Sequence, residues 1–404
     1  MNRLVERRLC EIRSSSDQPL CAYVYDLTGI RGHVAAMLAA MPPKTRLFYA
    51  IKANPDKRII EALLPLVAGF EVASAGELLR VREVSRDVPI LFGGPGKKDF
   101  ELRTAIAHNV AYLHVESLLE LRKIIMYANE GKRLTQVLLR INLRSKTLPQ
   151  TKIAMGGRPS PFGLDEAYIG EAAAILREPD NRYVQFCGFH FHSLSNNPDA
   201  ELHATMVQHY LEKASEWERL FGLDVRIVNA GGGFGVAYDG SPGFDWQRFA
   251  SLLGQSEAVR NLGTARLIFE PGRLIVADYG YYAAEVVDIK RSHDCVFAVV
   301  RGGTHHNRLP ASWGHNHPFR ILEREEWPYV FERPEAEHSR VTIVGELCTP
   351  KDRLHADAEL DRLRVGDVLV FEKSGAYCWT ISHHDFLSHP HPEFHYLTEG
   401  DQDE

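Results

Sequence analysis

The chain has 404 residues, 45% of them hydrophobic and 25% charged, with a formal net charge of -6. That length allows two domains with separate cores, and no apolar run reaches the roughly 20 residues needed to span a bilayer. With no basic tract there is no electrostatic reason to expect nucleic acid or a membrane surface as partner, so small molecules are the expected ligands.

Residues 1–16 mix Arg and Glu without the apolar core of a signal peptide. Six cysteines (Cys10, Cys21, Cys187, Cys295, Cys348 and Cys378) are scattered without paired spacing, which fits a reducing, cytoplasmic setting. The first 25 residues end in the strand-like run Ala22-Tyr23-Val24-Tyr25, which is expected to join the C-terminal domain. Between Arg46 and Arg273 come eight short β-rich runs, at 47–51, 70–73, 89–92, 111–115, 136–141, 184–191, 225–228 and 266–269. Most are separated by stretches with helical patterning, as at 59–67 and 118–127. Eight strand-helix units in about 230 residues predict an α/β fold, a closed (β/α)8 TIM barrel over residues 26–275. An open doubly wound sheet is the competing architecture. Beyond it, runs at 279–289, 295–301, 340–346 and 368–372 joined by turns predict a second, β domain, a barrel or sandwich over 276–404. The acidic end from Glu399 to Glu404 is expected to fray.

In such a barrel the working residues sit at the carboxyl ends of the strands. Lys52 ends the first, in Phe48-Tyr49-Ala50-Ile51-Lys52-Ala53-Asn54. Dehydrated by Leu47, Tyr49 and Ile51, its amine would lose basicity and attack an aldehyde, which points to pyridoxal phosphate. The bland alternative is a lysine whose stem snorkels to water. Arg140 lies in the fifth strand, and the sixth ends His190-Phe191-His192-Ser193-Leu194-Ser195. The seventh runs into Gly231-Gly232-Gly233, whose successive N–H groups can converge on a phosphate, and Arg273 can add a bidentate contact. Glu270, after the eighth, is a carboxylate of the kind that keeps a pyridine nitrogen protonated, although pairing with Arg273 would equally occupy it.

Together the Lys52 segment, Glu71-Val72-Ala73-Ser74 with Gly76-Glu77, His192 with Ser195, Gly231 to Gly233, Glu270-Pro271-Gly272-Arg273, Gly345-Glu346-Leu347-Cys348 and Gly375-Ala376-Tyr377 resemble the fold-type III pyridoxal phosphate decarboxylases. That group, with an alanine racemase-like fold, includes ornithine/arginine and diaminopimelate decarboxylases. The resemblance implies that Lys52 binds the cofactor aldehyde, Glu71 lies near that linkage, His192 stacks on the ring and Glu270 pairs with its nitrogen. It places Arg140 beside the cofactor and gives the phosphate to Ser195, Gly231, Gly232, Gly233, Arg273 and Tyr377. Cys348 would protonate the carbanion after carbon dioxide leaves, reaching across a head-to-tail homodimer with two shared active sites. A thiol suits that step, and a positioned acid is what it requires.

The sequence departs from this pattern in ways that bear on substrate. Where the resemblance calls for an acidic residue after the catalytic cysteine, to hold a distal ammonium, the chain has Thr349, and Asp352 is the nearest carboxylate that could compensate. The stretch from Arg301 to Pro310, containing His305, His306 and Arg308, is cationic where basic amino acid decarboxylases carry an acid, and Leu194 replaces a glycine. The pattern resembles the siderophore-pathway branch that decarboxylates a citryl-diaminopropionate conjugate in staphyloferrin B-type assembly, with His305, His306 and Arg308 reading carboxylates. Diaminopimelate or another basic amino acid is the alternative substrate. An amino acid racemase on the same barrel is disfavoured by Glu270, because racemases of this fold set an arginine against the ring nitrogen. A non-catalytic, partner-binding homologue would have lost Lys52, Glu270 or Cys348. The histidines at 315–317, 383–384 and 389–395 lack the usual ligand spacing, and no metal site is expected from them.

Overall fold

The computed structural model describes residues 3–15, 17–144 and 159–402. It divides into two compact units, one of residues 31–236 and 243–275, the other of residues 1–30, 237–242 and 276–404.

In the first unit eight parallel strands close on themselves. In ring order they are Thr45–Ala50, Gly69–Val72, Ile90–Phe92, Tyr112–Val115, Thr135–Asn142, Val184–His190, Ile227–Asn229 and Arg266–Phe269, and the last pairs with the first. The sequence runs predicted all eight, and the closure excludes the open sheet. Apolar strand residues Phe48, Leu91, Leu138, Cys187, Ile227 and Ile268 form one buried cluster that removes the barrel interior from water. Helices alternate with the strands as an outer layer, among them Lys57–Leu63, Ala75–Val84 and Leu118–Gly131. Ser74 and Ser117 cap two of these, each accepting the backbone N–H three residues on. Gly188 is required where the sixth and seventh strands meet: a Cβ there would lie 1.8 Å from the carbonyl oxygen of Ile227.

The register brings chemistry to one level. Arg140, His190 and Asn229 are direct partners across three neighbouring strands, so their side chains leave the same face at the same height. Ala50 pairs with Glu71 in the same way, two residues before Lys52.

The second unit is a sheet in the order Phe319–Leu322, Val368–Phe371, Gly280–Ser292, Cys295–Val300, Glu335–Val344, Arg353–Arg364. The N-terminal strand Cys21–Asp26 pairs antiparallel with Gly280–Ser292 and parallel with Glu393–Leu397. A helix the sequence reading did not anticipate, Arg3–Ser14, seats Val5, Leu9 and Ile12 on this sheet's core. The acidic end does not fray as far as residue 402. The Asp401 carboxylate pairs with Arg8 and accepts from the backbone and hydroxyl of Thr398, while residues 403–404 lie outside the described residues. Among the described residues no helix is long and apolar enough to cross a membrane.

Candidate active site

Lys52 lies in the 3-10 turn Ile51–Ala53 that follows the first barrel strand, with its Nζ 3.2 Å from Glu71 Oε2. Leu47, Tyr49 and Ile51 do not dehydrate it. Those side chains are buried in the core, while the lysine side chain is 42% exposed, so the partner that acts on the amine is Glu71. Burial pushes the Glu71 carboxyl up, and the Lys52 charge opposes that rise.

The sixth strand ends at His190, and the ring of His192, two residues on, lies 6.5 Å from the His190 ring. His192 Nδ1 accepts the Gly232 N–H at 3.1 Å, so a neutral ring carries its proton on Nε2. Burial holds its pKa well below the usual histidine value, helped by the charges of Lys52 and Arg140. The result is a flat, uncharged face.

All three glycines are needed for close approach. A Cβ on Gly231, Gly232 or Gly233 would lie 2.5, 2.4 or 2.3 Å from the carbonyl oxygens of Phe191, Glu270 and Leu194, and Gly231 and Gly233 have φ of 69° and 92°. Their N–H groups do not all converge on an anion, however. Gly231 N–H is taken by Asn229 Oδ1 and Gly232 N–H by His192 Nδ1. Only Gly233 N–H has no such internal acceptor among the described residues, and it lies beside the backbone of Ser195. Arg273 opens the turn after the eighth strand and is buried.

Glu270 does not pair with Arg273. Its Oε1 accepts from Asn229 Nδ2 at 2.6 Å, and its Oε2 lies 3.5 Å from His190 Nε2. His114 completes the group, with Nε2 3.8 Å from Oε1 and its ring 4.0 Å from that of His190. His114, His190 and Glu270 have the composition of a metal site, yet the Asn229 amide already directs its N–H groups at the lone pairs a cation would need.

Three residues of this level escaped the sequence reading: His114, Glu116 and Asn229. Their signal was a polar side chain at or just past the end of an otherwise apolar strand. Glu116 is buried and accepts from Arg140 at 2.7 Å, from Gly94 N–H at 2.8 Å and from Gly163 N–H at 3.0 Å. It therefore fixes the Arg140 guanidinium, which also lies 5.2 Å over the Phe162 ring.

The remaining sequence candidates lie in the β unit. Cys348 is exposed, in a turn closed by Thr349 N–H on the Leu347 carbonyl. Asp352 does not replace the missing acid at Thr349. It is buried and accepts from Thr304 N–H and hydroxyl and from Leu347 N–H, clamping two loops together. Tyr377 has a left-handed backbone, φ 59°, which costs a non-glycine residue about 1–2 kcal/mol. Arg308 and Thr349 line one cleft of about 700 Å³ with Lys351, Arg353, His315 and His383. His305 and His306 do not line it. Both are buried, and burial lowers their pKa to about 4 and about 2, so they present neither charge nor surface to a carboxylate.

The barrel unit thus presents a lysine with a carboxylate beside it, a neutral imidazole face, a buried carboxylate met by an amide, and a glycine N–H at the far end. That set fits pyridoxal phosphate, which needs an amine, a ring neighbour, a partner for the pyridine nitrogen and an anion donor. These are the parts of a fold-type III cofactor barrel. The pyridoxal-dependent decarboxylase family, through its pyridoxal binding domain, matches residues 27–277. The chain belongs to this family, and pyridoxal phosphate is its cofactor. Over 404 residues, all of both chains, it is 41% identical to the 2-((L-alanin-3-ylcarbamoyl)methyl)-2-hydroxybutanedioate decarboxylase of Staphylococcus aureus. It is 30% identical to a Helicobacter pylori diaminopimelate decarboxylase, across 88% of this chain and 85% of that one. A crystal structure of diaminopimelate decarboxylase from that organism, complexed with L-lysine, superposes with a TM-score of 0.83 at 28% identity, covering 96% of this chain and 94% of that one.

Removing Glu116 strands the Arg140 charge in the barrel. Glu116→Ala is expected to cost about 3–5 kcal/mol in urea unfolding, and the double variant Glu116→Leu/Arg140→Met to recover part of that loss. A double variant no more stable than Glu116→Ala would contradict the pairing.

Proposed function

We propose that this enzyme decarboxylates an amino acid conjugated to a polycarboxylate, of the citryl-diaminopropionate type used in siderophore assembly. The observation that carries this is the cleft of the β unit. Arg308, Lys351 and Arg353 line it, with no carboxylate in the lining; Arg308 Nη1 lies 3.0 Å from His383 Nδ1, a neutral acceptor that leaves its charge uncompensated. Unpaired cations gathered in one concave site favour an anionic distal group and repel a distal ammonium. Thr349 and the committed Asp352 leave no carboxylate in that lining to reverse the preference. The name of the S. aureus relative, a decarboxylase of a hydroxybutanedioate amide, supports the same substrate class.

Bound pyridoxal phosphate supplies the aldehyde and the electron-withdrawing ring that decarboxylation requires. Lys52 Nζ is the amine for that aldehyde, and Glu71 holds its proton. His192 would offer the ring a flat, neutral imidazole face. Glu270 holds the proton of the pyridine nitrogen, and Arg140 is kept near by Glu116. Gly233 N–H, Ser195, Arg273 and Tyr377 bind the phosphate, while Gly231 and Gly232 shape the turn. Cys348 delivers the proton that replaces carbon dioxide. The exposure of this thiol supports a head-to-tail homodimer, each copy lending Cys348 to the other, with the enzyme at work in the cytoplasm.

Carbon dioxide release from the citryl conjugate should exceed that from diaminopimelate or ornithine, and faster turnover of either free amino acid would end the assignment. Arg308→Ala is expected to raise KM for the conjugate about tenfold with kcat little changed. The shared site has a separate test: Lys52→Ala and Cys348→Ala, each inactive, should regain about a quarter of wild-type activity when equal amounts are unfolded and refolded together. No recovery would place both residues in one copy.

A further inference from the structure

We infer that His114 is a positioning residue which, through Asn229, holds the Glu270 carboxylate in place for the pyridine nitrogen. The inference rests on the reading that Glu270 meets that nitrogen, and goes beyond it by assigning what aims the carboxylate.

The hydrogen bonds leave one arrangement. Gly231 N–H can only donate, so the Asn229 atom it meets at 2.9 Å is the carbonyl Oδ1. The amide nitrogen then faces the other way, with two hydrogens to place. One goes to Glu270 Oε1 at 2.6 Å and the other to His114 Nε2 at 3.3 Å. His114 accepts there when its neutral ring is protonated on Nδ1, a buried hydrogen that meets no acceptor among the described residues. Burial supplies that condition, pushing the His114 pKa well below its usual value, with His190 adding to the effect. A donor at Nε2 would oppose the Asn229 amide hydrogen and turn the group away from Glu270. Asn229 is fully buried, so no solvent competes for either hydrogen.

The same amide links two functional parts. Gly231 bonds Asn229 through its N–H and accepts the Glu270 N–H on its carbonyl at 2.8 Å. The glycine turn and the carboxylate are therefore set by one side chain, and His114 sets that side chain.

The test uses Gln and Asn as partial imidazole mimics: Gln places a polar atom near Nε2 and Asn near Nδ1. In His114→Phe and His114→Asn, apoenzyme titrated with pyridoxal phosphate should bind about tenfold more weakly by fluorescence quenching, the upper end of what one hydrogen bond is worth. The bound cofactor's absorption should shift, kcat should fall, and KM should change little. His114→Gln should restore all of these. Asn229→Asp, which keeps the Gly231 bond but replaces the donor by an acceptor, should match His114→Phe. Unaltered affinity and absorption in His114→Phe or His114→Asn, or equal defects in all three His114 variants, would overturn the assignment. Glu270→Gln separates the two readings. If it changes affinity and absorption while His114→Phe changes neither, the His114 role alone fails. If Glu270→Gln changes neither, the role of Glu270 fails and takes this inference with it.

Discussion

Everything at the barrel's working end depends on placing carboxylates where water cannot reach them. Glu71, Glu116 and Glu270 are each almost fully buried, and a buried carboxylate is tolerable only if its oxygens are met by protein donors or an opposite charge. Each is satisfied differently. Glu71 has Lys52, Glu116 has Arg140 and two backbone N–H groups, and Glu270 has the Asn229 amide with a histidine beside each oxygen. The differences match the proposed chemistry. The carboxylate with a lysine sits beside an amine, the one with an arginine is closed to further partners, and the one with only neutral neighbours is the one proposed to meet the pyridine nitrogen.

Neutral histidines are the complement of those acids. His114, His190 and His192 all have pKa values pushed well down by burial, so the barrel gains polar contacts without gaining cations that would pair with Glu270. A protonated imidazole beside Glu270 would satisfy the carboxylate and remove its reason to hold a cofactor.

The barrel was legible because its strands are short, β-rich and bounded by turns, and because parallel pairing buries both faces, so that each strand reads as a near-continuous apolar run. The β unit was less so. Arg353–Arg364 carries so many charges that it reads as a solvated stretch, yet it is the long partner of Glu335–Val344, with Leu354, Ala358 and Leu363 turned inward. Glu393–Leu397 hides behind prolines and histidines, and pairs with a strand far away in sequence. The site divides similarly. Residues with ionic chemistry at strand ends, such as Lys52 and Glu270, announce themselves, whereas Asn229 and His114 matter through geometry that only the register creates. The glycine run was legible as a cradle, but not the fact that two of its three N–H groups are spent inside the protein. The cationic text from Arg301 to Pro310 was also misleading in part. Arg308 reaches the cleft, but His305 and His306 turn into the core.

The central claim is that one amine, at the carboxyl end of the first barrel strand, carries the cofactor. Borohydride reduction of the holoprotein followed by peptide mass mapping tests it directly. A single pyridoxyl adduct on Lys52, with loss of the visible absorption band, is the predicted result. An adduct on another lysine, or a reduced protein with Lys52 unmodified, would contradict the account.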